Sequence, residues 1–248
     1  MIRMRMSKAW TVAAKDLTVF MRKRSAIVSM VLFPLIVYVG LPLVVHFAGA
    51  RNGGIGASRL PTVLDAFSFF FIIGSVFLPT TIAAYSLVGE KLEKSLEPLL
   101  AAPVTDGEIL LGKSIAAFIP PMAAIYIGAI VFMALIDVLT HHTLGYSYFP
   151  NWTIGLILLL VAPLSAILSI EMNVIVSSRA SDVRAAQLQA NLIAIPFAGI
   201  YVASEVGVIS LDIRNLLIIS AVILVLDFIL FFISTKTFHR EEILTKWT

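Results

Sequence analysis

Six long apolar runs, each bounded by charged or polar residues, dominate the pattern of this chain. A helix needs about 20 predominantly apolar residues to cross a bilayer. Runs of that kind fall at 26–48, 63–88, 114–136, 153–177, 185–203 and 215–235. The fifth is the weakest, because Gln187, Gln189, Asn191 and Pro196 interrupt it. The pieces between the runs are too short to build a soluble domain. The pattern therefore predicts an all-α polytopic membrane protein, with 1–248 forming a single transmembrane domain. Pro120-Pro121 and Pro196 predict kinks, tolerable where neighbours satisfy the freed backbone. Ala124 and Gly128 allow close helix approach.

Composition agrees. Of 248 residues 59% are hydrophobic and only 13% charged, with mean hydropathy +0.98. Soluble domains carry about 25% charged residues. A soluble globule, a disordered tail and a disulfide scaffold are all excluded. Cys is absent, so thiolate chemistry and Cys-ligated metals are excluded too. The net charge of +3 says less than its distribution. Fifteen of the eighteen Lys and Arg residues fall on the termini and on the 2–3 and 4–5 loops; Arg51, Arg59 and Arg214 fall on the opposite side. By the positive-inside rule both termini are cytoplasmic. A secretory signal is the competing reading of the start, with Ala48-Gly49-Ala50 as a cleavage-like site. The first run is too long for an h-region of about 7–15 residues, so an uncleaved span is expected. Asn151-Trp152-Thr153 forms a glycosylation sequon at the outer membrane edge, a match common by chance.

Residues 1–25 read as an amphipathic helix. Trp10, Ala14, Leu17 and Met21 share one face among basic positions, suiting a helix that lies in the headgroup region. Residues 89–103 predict a second, cytoplasmic one. Leu92, Leu96, Leu99 and Leu100 fall on one helical face, Glu90, Lys91, Glu93, Lys94 and Glu97 fill the rest, and Pro103 ends it. Such a helix either rests on the bilayer or fits a groove on a cytoplasmic partner. Thr105 and Glu108 then predict a capping box for the third span. Gly107 to Ser114 fits the G-x-x-x-x-G-K-[ST] phosphate-loop pattern, but no strand precedes it and a membrane span follows, so nucleotide binding is refused.

Within the spans, Glu171 and Asp227 lie eight and nine residues from Arg179 and Lys236, about 12–14 Å in from the cytoplasmic end. No Lys or Arg within a span can pair with them. They are protonated, hydrated, or hydrogen-bonded to neighbours such as Asn173 or Asn191. They line a substrate or cation path, or they join helices. Gln187 and Asn191 share a face of span five and belong to the same candidate path. His141-His142 lacks a third ligand nearby, so no metal site is expected. No base faces a nucleophile at membrane depth except these two acids, so no catalytic residue is expected.

The run GEKLEKSLEPLLAAPVTDGEILLGK at 89–113 resembles the signature of type-2 ABC transporter permeases. Ala14-Lys15-Asp16-Leu17, followed by Arg22-Lys23-Arg24 and a Pro-containing span, is similar to the start of those proteins. The resemblance implies an exporter membrane subunit in the cell membrane, without catalysis or cofactor of its own. It implies a coupling helix between spans two and three that docks on a separate ABC-type ATPase, with Glu90, Glu93, Leu96, Glu97, Leu99, Leu100 and Pro103 at the coupling positions. It also implies a second permease copy, as homodimer or sister permease, and no nucleic acid. The short 204–214 stretch argues against a bulky glycan and for drugs, lipids, haem-type cofactors, peptides or cations. The rival is an ion-coupled secondary carrier using Glu171 and Asp227; a membrane scaffold without transport is the third reading.

Overall fold

The computed structural model describes residues 6–22, 24–51, 59–84, 104–179, 182–206 and 208–237. Among them every regular element is helical. Six stretches are long and apolar enough to cross a membrane: Met30–Phe47, Leu60–Ala84, Asp106–Leu144, Trp152–Ser177, Arg184–Ser204 and Ile213–Ser234. They follow the predicted spans closely, except that the third extends well beyond 114–136 at both ends.

Helix α1 (Met6–Arg22) precedes span one, which joins α2 (Arg24–Pro34) to α3 (Gly40–Arg51) through a π-helical turn at Leu35–Val39. Span two is α4 (Leu60–Ala84) and span three is α5 (Asp106–Leu144). Span four runs from α6 (Trp152–Leu156) through a second π-helical turn, Ile157–Val161, into α7 (Ala162–Arg179). Span five is α8 (Val183–Asn191) followed by α9 (Ala194–Glu205), and span six is α10 (Ile213–Thr237).

Proline explains the irregular turns. Each removes the donor to the carbonyl four residues back. Pro34 and Pro42 flank the first π-helical turn, and Pro163 follows the second. There the Tyr126 hydroxyl donates to the Leu158 carbonyl at 3.1 Å. In span five Pro196 cannot donate to the Leu192 carbonyl, so the Ile195 N–H bonds it at 3.1 Å instead. The Leu192 and Ile193 N–H groups likewise bond three residues back, to Gln189 and Ala190. The expected kink thus appears as a break at 192–193, one turn before the proline. At Pro120-Pro121 α5 runs on without interruption.

Span two is the centre: 72% of its most apolar stretch is buried, against 22% for spans one, five and six. Tyr38, in the first π-helical turn, drives its ring into this centre. It stacks on Phe71 at 4.5 Å, and Phe71 meets Phe132 edge-on at 5.4 Å. Gly74 and Gly128 make the slot. A Cβ at Gly74 would lie 2.6 Å from the Tyr38 hydroxyl, and one at Gly128 would run into the Tyr38 ring. Gly128 therefore serves close approach, as expected, though to an inserted ring rather than to a helix backbone.

At the outer end Asp137 Oδ1 accepts from the Tyr148 and Phe149 N–H groups at 2.9 and 3.0 Å. Asn151 caps α6 through Ile154 N at 2.9 Å and donates its amide to Asp65 at 3.1 Å. The sequon asparagine is thus already committed on both sides. Burial and the adjacent Asp65 carboxylate push the Tyr148 hydroxyl above the usual tyrosine range.

Candidate functional site

Three polar arrangements lie at or near the predicted cytoplasmic end. The first clamps α1 onto the base of span three. Thr105 and Glu108 form the predicted capping box: Glu108 N donates to Thr105 Oγ1 at 3.2 Å, and Thr105 N donates to Glu108 Oε2 at 2.9 Å. One turn on, Gly112 lets α1 approach so closely that a Cβ there would sit 2.5 Å from the Ala9 carbonyl oxygen. Beside it Lys113 Nζ donates to Asp16 Oδ2 at 3.3 Å, with the two residues only 2% and 9% exposed. Ala9, Val12, Ala13 and Phe20 complete the buried face of α1. The helix thus has one buried and one exposed face. Trp10 and Met21 of the predicted apolar stripe are exposed, at 56% and 59%, on the side turned away from span three. The stripe Trp10, Ala14, Leu17 and Met21 is the obvious face in the sequence. The interior face, built of small residues and one carboxylate, is not.

The second arrangement joins spans two, four and five. Thr80 Oγ1 donates to Asn191 Oδ1 at 2.7 Å, and Gln187 Nε2 donates to Thr81 Oγ1 at 3.0 Å. Asn173 Nδ2 donates to the Thr80 carbonyl at 3.2 Å. These bonds close the gap between span two and the broken span five.

The third holds the acids. Glu171 and Asp227 are 8% and 7% exposed. Glu171 Oε2 and both Asp227 carboxylate oxygens are buried without a hydrogen-bond partner among the described residues. The expected bonds from Asn173 or Asn191 to these acids are not made among the described residues: Asn173 gives its amide N–H to the Thr80 carbonyl, and Asn191 holds the Thr80 hydroxyl through its oxygen. Helical geometry explains the separation: residues two apart point about 200° apart, so Asn173 faces span two while Glu171 faces the other way. The four residues of the expected path are therefore not brought together. Glu171 sits on span four and Asp227 on span six, two helices that pack together, whereas Gln187 and Asn191 bind span two. Glu171 lines a cavity of about 500 Å³ walled by spans three, four and six, chiefly by Leu111, Ile115, Phe118, Ile167, Ile170 and Phe231. Asp227 lies one turn from Phe231 on span six.

The profile of the ABC-2 family transporter proteins matches residues 10–238, from α1 through all six spans. The chain belongs to the ABC-2 transporter family. It is a multi-pass membrane permease of an ABC transporter. No curated protein matches the chain in a direct comparison. In this family ATP hydrolysis lies in a partner subunit, and the permease usually works with another permease copy.

Membership fits the refusal of the phosphate-loop pattern. In this permease Lys113 is buried in an ion pair and Gly112 seats a neighbouring helix, so neither serves a phosphate. The coupling positions Glu90, Glu93, Leu96, Glu97, Leu99, Leu100 and Pro103 lie outside the described residues. Among the described residues no group of three His, Asp or Glu side chains is placed to hold a metal.

Proposed function

We propose that this permease is the membrane subunit of an ATP-driven exporter and moves substrate outward, driven by ATP hydrolysis in a separate ABC-type ATPase. It performs no catalysis itself. Segment 89–103 forms the coupling helix, with Glu90, Glu93, Leu96, Glu97, Leu99, Leu100 and Pro103 toward the ATPase. A second permease copy, identical or a sister chain, completes the pore. Both termini lie in the cytoplasm of a cell-membrane protein, as the basic bias requires. The exposed stripe of α1 rests in the headgroups. Glu171 and Asp227 line the substrate route, and Gln187 and Asn191 act on it through the joint of spans two and five. The observation that carries the reading is the family match running through all six spans and across 89–113.

The test is a mild-detergent pull-down of the full chain from its native membranes. Expected is a stoichiometric ATP-hydrolysing subunit, lost in Leu96→Asp while insertion persists. A chain that comes alone, or a Leu96→Asp variant that keeps its ATPase, refutes the docking claim. The acids, without a hydrogen-bond partner among the described residues, favour one alternative, an ion-coupled carrier. That carrier would come alone and drive uptake or efflux from an ion gradient without ATP.

A further inference from the structure

Packing does not account for the acid cavity. Glu171 Oε2 is buried at its wall with no hydrogen-bond partner among the described residues, and Asp227, one turn deeper than Phe231 on span six, has both carboxylate oxygens buried and likewise without a partner among them. Residues 153–177 and 215–235 contain no Lys or Arg to answer them. A buried carboxylate without a partner is costly, and pairing or hydrogen bonding is what relieves it. The rest of the cavity is apolar. Its two hydroxyls, Ser114 and Ser234, donate to carbonyls of their own helices.

We propose that the cavity between spans three, four and six binds a lipophilic amine, its apolar body against Leu111, Ile115, Phe118 and Ile167 and its ammonium group at Glu171, with Asp227 one turn beyond Phe231 on span six as the second acid. This names a substrate class for the proposed exporter and rests on that reading for transport, though not for binding. The volume of about 500 Å³ falls within the roughly 300–1,000 Å³ of sites that take a drug-sized molecule. A donor-rich, positively charged head answers acceptors that have no partner among the described residues. A bare metal cation needs oxygens on most sides, and these walls are hydrocarbon. A phospholipid amine is the poorer fit. Glu171 lies about 12 Å in from the cytoplasmic end of its span, so reaching it would drag the lipid phosphate below the headgroup level.

The experiment uses the full chain in phosphatidylcholine nanodiscs, whose quaternary head offers no N–H donor. The probe is N-dansyl-1,10-diaminodecane, and its control is the same molecule ending in a methyl group instead of the amine. Binding is read by dansyl fluorescence at constant ionic strength. A charge-assisted hydrogen bond contributes about 1.5–3 kcal/mol, so the amine is expected to bind about tenfold to a hundredfold more tightly than its control. Glu171→Gln with Asp227→Asn should erase that preference and leave the control's affinity unchanged. Ile115→Trp, which fills the cavity, should weaken both probes. Equal affinity of the two probes in the unaltered chain overturns the proposal. So does a preference that survives loss of both acids, or binding that survives Ile115→Trp. Displacement of the probe by sodium ions, or by phosphatidylethanolamine in the disc, overturns it in favour of a cation or a lipid headgroup. The exporter reading fails separately. Amine binding by a chain that recruits no ATPase would leave this site standing and remove ATP-driven transport.

Discussion

Replacing Lys113 with Met removes the ion-pair partner that stands 3.3 Å from Asp16, at a site where both residues are almost wholly buried. Taking one partner from a buried pair costs up to about 3–5 kcal/mol, as the remaining charge keeps its desolvation and loses that attraction. The apolar grip of α1 on the bundle is of the same size. Its largest buried side chains are Val12 and Phe20, each contributing about 1.5–3 kcal/mol, with Ala9 and Ala13 adding little. Loss of the pair should therefore loosen the whole helix rather than perturb it locally. Because the chain has no cysteine, Ala13→Cys places a single thiol on the buried face of α1. Its maleimide labelling rate in nanodiscs follows the opening of the contact. Lys113→Met or Asp16→Asn should speed labelling about a hundredfold to several-thousandfold. The double variant Asp16→Leu with Lys113→Met should label close to the parent rate, since apolar replacement of both partners is often neutral. Single variants within tenfold of the parent would refute the clamp. A double variant as loose as the singles would refute the charge argument and leave side-chain shape as the cause.

Other outcomes follow from the same structure. Gly74→Ala should lower the detergent melting temperature by a loss of about 1–3 kcal/mol, since its Cβ meets the Tyr38 hydroxyl, and Tyr38→Phe should restore much of it. Tyr38→Phe alone should be neutral or stabilising, because that buried hydroxyl has no hydrogen-bond partner among the described residues. Asn191→Leu should remove the bond between spans two and five while the Thr80 hydroxyl keeps the Phe77 carbonyl at 2.7 Å, costing about 0.5–1.5 kcal/mol, read as the same melting shift; an unchanged temperature would show the two spans held by packing alone. At alkaline pH the unfolded chain ionises its tyrosines near pH 10 while burial and Asp65 keep Tyr148 protonated. Its share of stability is thus full below about pH 10 and is lost as pH rises beyond. Asp65→Asn should bring one tyrosinate absorbance step to lower pH.

The spans were legible because bilayer thickness demands long apolar runs, and that demand leaves its mark residue by residue. The capping box at Thr105 and Glu108 was legible because it is local. Breaks in the helices were only partly so. Pro196 announced the interruption of span five, but the π-helical turns near Pro34, Pro42 and Pro163 did not stand out, because proline admits a kink, a break or a wide turn and neighbouring spans choose among them. The interior face of α1 was hidden for another reason. Asp16 reads as one polar residue of a basic helix, and Lys113 as part of a phosphate-loop pattern; only their approach across 97 positions makes them a pair. The grouping of Glu171, Asp227, Gln187 and Asn191 rests on composition and depth, which carry no helical phase between spans. Phase is what separates the acids from the amides.

That separation assigns two jobs to one turn of span three. Gly112 and Lys113 face α1, while Leu110, Leu111, Ser114 and Ile115 face the acid cavity. Both sets stand just beyond the segment 89–103 proposed to meet the ATPase. A helix resists bending over so short a stretch, and a close-packed interior passes displacement on rather than absorbing it. Movement of the coupling segment would therefore reach the cavity wall through α5 itself, with α1 as the strut that keeps this end from swinging freely. Clamp and cavity can be separated by substitution. Lys113→Met should uncouple ATP hydrolysis from the amine while leaving amine affinity within a few-fold, because the clamp lies on the far side of the helix from the cavity. Ile115→Trp should do the reverse, abolishing amine binding while the Ala13→Cys thiol labels as slowly as in the parent, with α1 still in place. If Lys113→Met instead destroys amine binding, the clamp shapes the cavity directly, and the strut has no separate existence.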